Sequence, residues 1–436
     1  MNKRKDTTIF ALSTPTGKSA LALIRISGKN AIKILKKISL NTHLENRVAT
    51  LNTLVTQKNE KIDKSISTIF KSPNSYTGED MVELSVHGSA AIISKLIKTL
   101  NQFDTLRIAE PGEFTRRAFE NNKLDLTQVE AISDLINSET EAQRKQALNH
   151  LSGLFSDRIK LWEKRILKIL SSVEAVIDFS DEDLPENLIK DTKEQIENIY
   201  REIDLFLSDN EVGEKIRNGF IIAIVGKPNV GKSSFLNLIA KREIAIVTEE
   251  PGTTRDAIEL FTNFKGLPVR FFDTAGIRKS ENKAELLGVK KTHEILEFSD
   301  INLIFLESKK CTTDFKSLKN KIFVQSKIDI NKKIKSESEI CYISSLKKTG
   351  IDELFNKIYK DVSLNIKTEE INVSRERHRA VLKNTTKHLK ESLNIKNIDL
   401  FAEDIRMSLN EISKIYGKKD VEDVLDIIFS DFCIGK

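Results

Sequence analysis

Cysteine is scarce in this chain. Cys311, Cys341 and Cys433 are odd in number and far apart, so they make neither a disulfide framework nor a zinc site, and they suit a reducing cytosol. Proline (7) and glycine (17) are low, and no low-complexity linker or internal repeat stands out. No apolar run is long enough to span a membrane. The first residues, MNKRKDTTIFALS, are basic, but a charged, broken sequence follows. They therefore read as no signal peptide, and a cytoplasmic location is expected. Excess charge of one sign is also lacking. Lys+Arg is 70 against Asp+Glu 64, a net charge of +6, which permits a nucleic-acid partner without demanding one. What remains is 436 residues, 39% hydrophobic and 31% charged, enough for about three soluble domains with real cores.

The chain is organised around FIIAIVGKPNVGKSS, Phe220 to Ser234. Phe220 to Val225 is a short, β-branched apolar run, the pattern of a strand buried on both faces. It runs into G-x-x-x-x-G-K-S, with Gly226, Gly231, Lys232 and Ser233. Such glycines let the backbone curl into a nest of N–H groups at a helix start, which cradles phosphates. Asn229, Val230, Gly231, Lys232, Ser233 and Ser234 are the nucleotide-binding candidates. Lys232 is placed to reach the outer phosphates and the Ser233 hydroxyl to hold Mg2+.

Up to about residue 121, short strands and helices mix. ALALIRI (Ala20 to Ile26) reads as a strand carrying one charge, Arg25. In VELSV (Val82 to Val86) alternation puts Val82, Leu84 and Val86 on one face and Glu83 with Ser85 on the other. Asn30 to Leu40 and Ser89 to Leu100 read as helices. From Leu124 to Phe179 the pattern is long-helical, with Phe155, Ile159, Trp162, Ile166, Ile169, Val173 and Val176 in steps of four and three, the seam of a helical bundle or coiled coil. Helix resumes over Leu188 to Leu207 and again beyond about residue 368. Between these lies an alternation of apolar strands and helices, with strands at Pro268 to Phe272, Ile301 to Leu306, Ile322 to Gln325 and Ile340 to Ile343. That pattern predicts a doubly wound, mostly parallel sheet inserted into a discontinuous helical domain. The fold class expected is thus multidomain, α/β plus all-α. Its domains are 1–121, 122–213 (helical, first part), 214–366 (inserted nucleotide domain) and 367–436 (helical, second part).

Further motifs follow the loop in order. In GTTRD, Thr254 is the natural group to close over Mg2+ and the γ-phosphate. FFDTAG sets Asp273 at a strand end, near Mg2+, and Gly276 where its N–H meets the γ-phosphate. VQSKID supplies Lys327 and Asp329 of the guanine-reading N-K-x-D pattern, with Ser326 in place of the Asn. Ser344 and Ser345 occupy the position that closes over the base. Together these resemble the translation-factor class of GTPases. Ile277 follows the DTAG glycine, where many GTPases carry a water-orienting glutamine. An aliphatic side chain cannot orient water, so hydrolysis needs another group and another positive charge. Arg255, Arg278 and Lys279 are candidate fingers, and the Asn229 oxygen is a candidate ligand for a monovalent cation. Each of them also fits a solvated loop residue.

The stretches TGEDMVELSVHG and AEPGEFTRRAFENNKLDLTQVEAISDLI, the TTRD motif and the final FCIGK resemble one family over essentially the whole chain. It is the MnmE (TrmE) family of bacterial GTPases that modify tRNA wobble uridine. The resemblance implies an N-terminal tetrahydrofolate-binding domain that forms a constitutive homodimer, with folate contacts at Arg25, Glu83, Lys123 and Lys436. It implies a GTPase domain activated by K+ and by dimerisation. K+ then falls on Asn229, Thr248, Glu250 and Thr253, and Mg2+ on Ser233 and Thr254. Glu285 is implied as the water-orienting carboxylate and Cys433 as the catalytic thiol, whereas Cys311 and Cys341 read as structural.

The implied reaction adds an aminomethyl or carboxymethylaminomethyl group at C5 of uridine 34. A 5,10-methylene- or 5-formyl-tetrahydrofolate is the bound one-carbon carrier and GTP the hydrolysed substrate. The implied partner is the FAD- and NADH-dependent MnmG (GidA), in a heterotetramer or larger assembly. Two other classes compete: a ribosome-assembly or RNA-binding GTPase without modification chemistry, and a folate-dependent transferase without a GTPase role. FCIGK speaks against the first and the intact phosphate loop against the second.

Overall fold

The computed structural model describes residues 7–178, 188–209, 211–242, 258–273, 295–306, 318, 320–330, 339–364, 366, 371–417, 422–430, 432 and 434–436. Backbone contacts divide the chain into two compact units, Met1–Ser133 with Ser413–Lys436, and Asp134–Ile412.

The first unit opens with β1 (Thr8–Leu12), β2 (Ser19–Ser27), α1 (Ala31–Lys37), β3 (Thr50–Val55), β4 (Lys61–Phe70), β5 (Met81–Gly88), α2 (Ala90–Leu100), β6 (Leu106–Ile108), α3 (Glu113–Glu120) and α4 (Leu126–Ile136). Its sheet has the order β3-β4-β5-β2-β1-β6, antiparallel throughout except for the β1–β6 pair. Alternation sorts the strands. Ala22, Ile24 and Ile26 of β2, with Val82, Leu84 and Val86 of β5, are buried among Leu35 of α1 and Leu96 and Leu100 of α2. The intervening residues face the other way, where Leu51, Ile66, Ser85 and Leu23 form one row across four strands. At the β3–β4 end that row is apolar yet open: Leu51 is 69% and Ile66 47% exposed. Over β1 it is covered, because Phe114 of α3 packs on Ile9 and Ala11.

The second unit begins beyond residue 133 with α5 (Glu141–Leu151), α6 (Leu154–Asp178), α7 (Leu188–Leu207) and α8 (Val212–Asn218). The long-helical stretch expected over 124–179 is divided into separate helices. Thr140 and Gln143 form a capping box that starts α5 afresh, and Gly153 at φ +89° separates α5 from α6. Within α6 the seam from Phe155 to Val173 is buried. There follow β7 (Phe220–Gly226), α9 (Lys232–Arg242), β8 (Ile258–Phe264), β9 (Leu267–Asp273), β10 (Ile301–Leu306), β11 (Lys321–Gln325), β12 (Ile340–Tyr342) and α10 (Ile351–Ser363). The sheet order is β12-β11-β10-β7-β9-β8. Every pair is parallel except β8–β9. Central β10 is buried at all six positions, as a strand covered on both faces must be. One face meets Phe235 and Ile239 of α9 and Leu354, Phe355 and Ile358 of α10.

The edge strand β8 has no counterpart among the expected strands. It forms a hairpin with β9 through Lys265 (φ +52°) and Gly266 (φ +88°), a turn with two left-handed residues that suits the strand twist. Asn263 Oδ1 accepts the Gly266 N–H at 2.9 Å. The helical part resumes with α11 (Glu376–Ser392) and α12 (Ile398–Ser413), and α13 (Glu422–Ser430) belongs to the first unit. There Phe429 and Phe432 join Leu126 and Val129 of α4 in one apolar cluster. Backbone contacts group 122–133 and 413–436 with the N-terminal sheet, and this cluster joins those two stretches to each other. Among the described residues no helix is long and apolar enough to cross a membrane.

Candidate functional site

The phosphate loop is built where β7 ends beside β10. Gly226 has φ +151°, and a Cβ there would lie 2.5 Å from the Phe305 carbonyl oxygen. Gly231 has φ +104°, and its Cβ would meet Ser326 Oγ at 2.7 Å. Side chains at either point would therefore fill the cradle or push its walls apart. Asn229 also takes a left-handed conformation, at φ +62°. Lys232 is buried, and its Nζ donates to the carbonyls of Gly226 (2.7 Å) and Lys227 (2.8 Å). The ammonium is thus held across the mouth of the loop. Ser233 and Ser234 follow in the first turn of α9. Asp273 is buried at the end of β9, in register with Ile224, two residues before Gly226.

The segment expected to read the base is tied to this loop. Ser326 Oγ donates to the Val230 carbonyl, and Lys327 Nζ donates to the Asn229 carbonyl at 2.5 Å. Ser326, at the position where an Asn is usual, therefore spends its one hydroxyl proton on the phosphate loop. Ser344 is buried and donates to Asp329 Oδ1 at 2.6 Å. That hydrogen bond, then the local backbone and the nearby charges of Lys347 and Lys327, holds the Asp329 carboxyl below its usual range. Asp329 is therefore an ionised acceptor, suited to paired N–H donors. Ser345 sits beside Ser344, half-buried. Cys341 on β12 is half-buried, and burial pushes its thiol up, away from thiolate reactivity.

In the first unit Arg25 and Glu83 face each other across β2 and β5, with Arg25 Nε donating to Glu83 Oε1 at 2.8 Å. Arg25 also lies over the Tyr76 ring, 5.7 Å from its centroid. Tyr76 shares a hydrogen bond of 2.8 Å with Thr115, and burial raises its phenol. Two residues on, Gly78 packs against the Lys123 stem. The Tyr76–Gly78 loop thus touches both Arg25 and Lys123. Tyr76 and Thr115 are not among the residues expected from the sequence; the one signal for them is a Tyr directly before TGED in a chain with five tyrosines.

The C-terminal tail lies in a slot of the same unit. Ile434 bridges to Pro111, and Ser13 Oγ donates to the Gly435 carbonyl at 3.0 Å. Lys436 follows. One wall of the slot is fixed by a buried ion network. Arg107 grips Glu113 with two hydrogen bonds, at 2.5 and 2.7 Å. Arg117 joins Glu113 (3.0 Å) to Glu79 (2.9 Å). Burial works against the Glu113 charge, but Arg107, the Glu110 N–H and the Arg117 charge outweigh it and hold the carboxyl below its usual range. Thr248, Glu250, Thr253, Thr254, Arg255, Gly276, Ile277, Arg278, Lys279, Glu285, Cys311 and Cys433 lie outside the described residues.

A glycine-lined phosphate cradle, a strand-end aspartate and a following strand-end loop tethered to that cradle, on a mostly parallel sheet, define a P-loop GTPase, here carried in one chain with a unit built from both chain ends. The chain belongs to the MnmE family of tRNA modification GTPases. Residues 126–433 match the MnmE helical domain, and residues 8–123 match the GTP-binding protein TrmE N-terminus. The tRNA modification GTPase MnmE of Pelagibacter ubique is 42% identical over 451 aligned residues, covering 98% of this chain and all of that protein. Those of Dinoroseobacter shibae and Aquifex aeolicus are each 38% identical over 98% of this chain, covering 100% and 99% of those proteins.

Proposed function

We propose that this chain hydrolyses GTP to time the installation of an aminomethyl or carboxymethylaminomethyl group at C5 of wobble uridine 34 in tRNA. The FAD-dependent MnmG is its partner. The observation that carries this reading is the tail. Ile434 and Gly435 are seated against Pro111 and Ser13, so the residues flanking Cys433 are held on the N-terminal unit. A GTPase that only switches RNA binding has no use for that arrangement.

The one-carbon tetrahydrofolate binds on the open side of β2 and β5. Arg25 offers a guanidinium, Glu83 accepts N–H groups of a pterin-like ring, and Lys123 and Lys436 supply positive charge for its carboxylates. The fit is favoured by an Arg–Glu pair held on a sheet face beside an aromatic ring. The folate supplies the transferred carbon, and Cys433 is the thiol that handles it. The apolar row of Leu51, Ile66 and Leu23 on the same face suits a second copy of the chain, since so much exposed apolar surface on a sheet calls for a cover.

In the other unit Lys232, Ser233, Ser234 and the loop N–H groups bind the phosphates. Ser233 and Thr254 hold Mg2+, which neutralises phosphate charge, with Asp273 beside them. Asn229, Thr248, Glu250 and Thr253 hold K+, and Glu285 orients the attacking water. Loss of the γ-phosphate then lets paired GTPase domains part. The test is mass spectrometry of wobble uridine after incubating tRNA with the full chain, MnmG, GTP, K+ and a one-carbon folate. The modified base is expected only when every component is present. Modification that persists without folate, or without this chain, rejects the reading.

A further inference from the structure

Among the described residues, away from the phosphate loop and the Arg25–Glu83 pair, one cluster of side chains has the composition of a metal site. His388 and Glu391 lie three residues apart on α11, so they share a face, and Asp404 reaches them from α12. His388 Nδ1 stands 3.8 Å from Glu391 Oε2 and 3.9 Å from Asp404 Oδ1. One ligand atom from each of the three residues falls within 4.8 Å of the others.

One feature sets this group apart from an ordinary surface charge cluster. His388 Nδ1 is shielded from solvent yet has no hydrogen-bond partner, a state that leaves a polar atom's desolvation uncompensated. A cation set among the three donors relieves it.

We propose that His388, Glu391 and Asp404 bind a divalent transition-metal ion, with Zn2+ as the natural occupant, and so staple α11 to α12. Bond lengths of about 2.0–2.2 Å put two donors of one tetrahedral zinc roughly 3.3–3.6 Å apart. The observed separations of 3.8 and 3.9 Å close to that range with small side-chain rotations. One nitrogen and two carboxylates form a borderline donor set, and three protein ligands leave the fourth position to water. Mg2+ prefers an all-oxygen octahedron, so the ion that serves GTP does not compete here. The staple would fix the α11–α12 hairpin, whose turn is already gripped by Lys193 Nζ through the carbonyls of Leu393 (3.1 Å) and Ile395 (3.0 Å).

Calorimetric titration of the full chain with Zn2+, in excess Mg2+ and GDP to keep the nucleotide site filled, tests this directly. One Zn2+ equivalent is expected. It weakens at least tenfold in His388→Gln and in Asp404→Asn, with helical circular dichroism and GTP hydrolysis unchanged. Glu391 is exposed, so Glu391→Gln carries the same test if either buried-side variant fails to fold. Replacement by Co2+ is expected to give a visible absorption band that the same variants lose. No binding, or Zn2+ affinity equal in the parent and the variants, overturns the proposal.

Discussion

Gly435 offers a sharp perturbation of the tail. Its backbone stands at φ +101°, a region that costs other residues about 1–3 kcal/mol. A Cβ at this position would lie 2.5 Å from the Leu12 carbonyl oxygen and 2.8 Å from Ser13 Cα. Both are backbone atoms of the strand end, so no side-chain rotation makes room. Against that strain the tail is held by the Ser13 hydrogen bond to Gly435 and the Pro111–Ile434 bridge. A neutral hydrogen bond contributes only about 1 kcal/mol net. Gly435→Ala therefore removes about 2–3 kcal/mol of docking free energy, a drop of roughly 30- to 150-fold in the docked population. Ser13→Ala removes only the hydrogen bond, about fivefold. Two assays separate these effects. Amide exchange over 429–436 accelerates strongly in Gly435→Ala and mildly in Ser13→Ala. Wobble-uridine modification falls in the same order while GTP hydrolysis by the other unit is unchanged. Gly435→Ala with parental exchange and parental modification would refute the reasoning, as would equal damage from the two variants.

Three further outcomes are expected. Glu113 has a depressed carboxyl pKa in the fold, so its ionised form stabilises the first unit above the ordinary carboxylate value of about 4.3, and that contribution disappears as pH falls through the lower folded value. Glu113→Gln is thus expected to lower neutral-pH stability by about 3 kcal/mol, since it breaks a buried ionic network, and to flatten the acid limb of an unfolding curve; parallel pH profiles would contradict this. Ser326→Ala leaves the Val230 carbonyl without its donor, a loss of about 1–3 kcal/mol, so fluorescent GDP is expected to bind about tenfold or more weakly, and undiminished affinity would show the tie to be incidental. Exchange of K+ for Na+ is expected to slow GTP turnover sharply, and Glu285→Ala to do so without loss of nucleotide binding; equal rates in both salts count against K+ activation.

Much of the fold was legible because the signals are local. The run Phe220 to Val225 and the glycines after it specify a strand, a turn and a helix within fifteen residues, and β7 and α9 lie there. The α6 seam announced itself by period. Strands with mixed faces were harder. In β8, Glu259, Thr262 and Asn263 interrupt the apolar pattern, and its hairpin uses Lys-Gly rather than the commoner Asn-Gly. The long-range pairings within the site had no local signature. Arg25 and Glu83 are 58 residues apart, and Ser13 and Gly435 are 422 residues apart. Only the sheet register and the tail's return bring them together. Ser326 shows the remaining limit. As a departure from a motif it reads as a missing amide, and only the fold reveals that its hydroxyl is engaged with the phosphate loop.

Within the second unit, the chain passes twice between the helices and the parallel sheet, once on the way in and once on the way out. Both passages are pinned by arginines on shared carboxylates. Arg217 and Arg375 meet Asp134 Oδ1 at 2.8 and 2.7 Å. Arg379 binds Glu214 (2.5 Å), Asp209 (2.7 Å) and the Leu207 carbonyl (2.8 Å). Asn372 accepts from Gln146 and His150 on α5, and Val373 abuts Gly213 so closely that a Cβ there would collide. Two passages fastened to each other cannot act as independent flexible linkers. Any displacement of the sheet that follows nucleotide exchange must therefore either carry α5, α8 and α11 with it or break charged hydrogen bonds that are stronger than neutral ones. The first course is the less costly one, and it fits the proposed timing role: motion at the phosphate loop would be delivered to the helices as a rigid-body shift rather than absorbed at the joint.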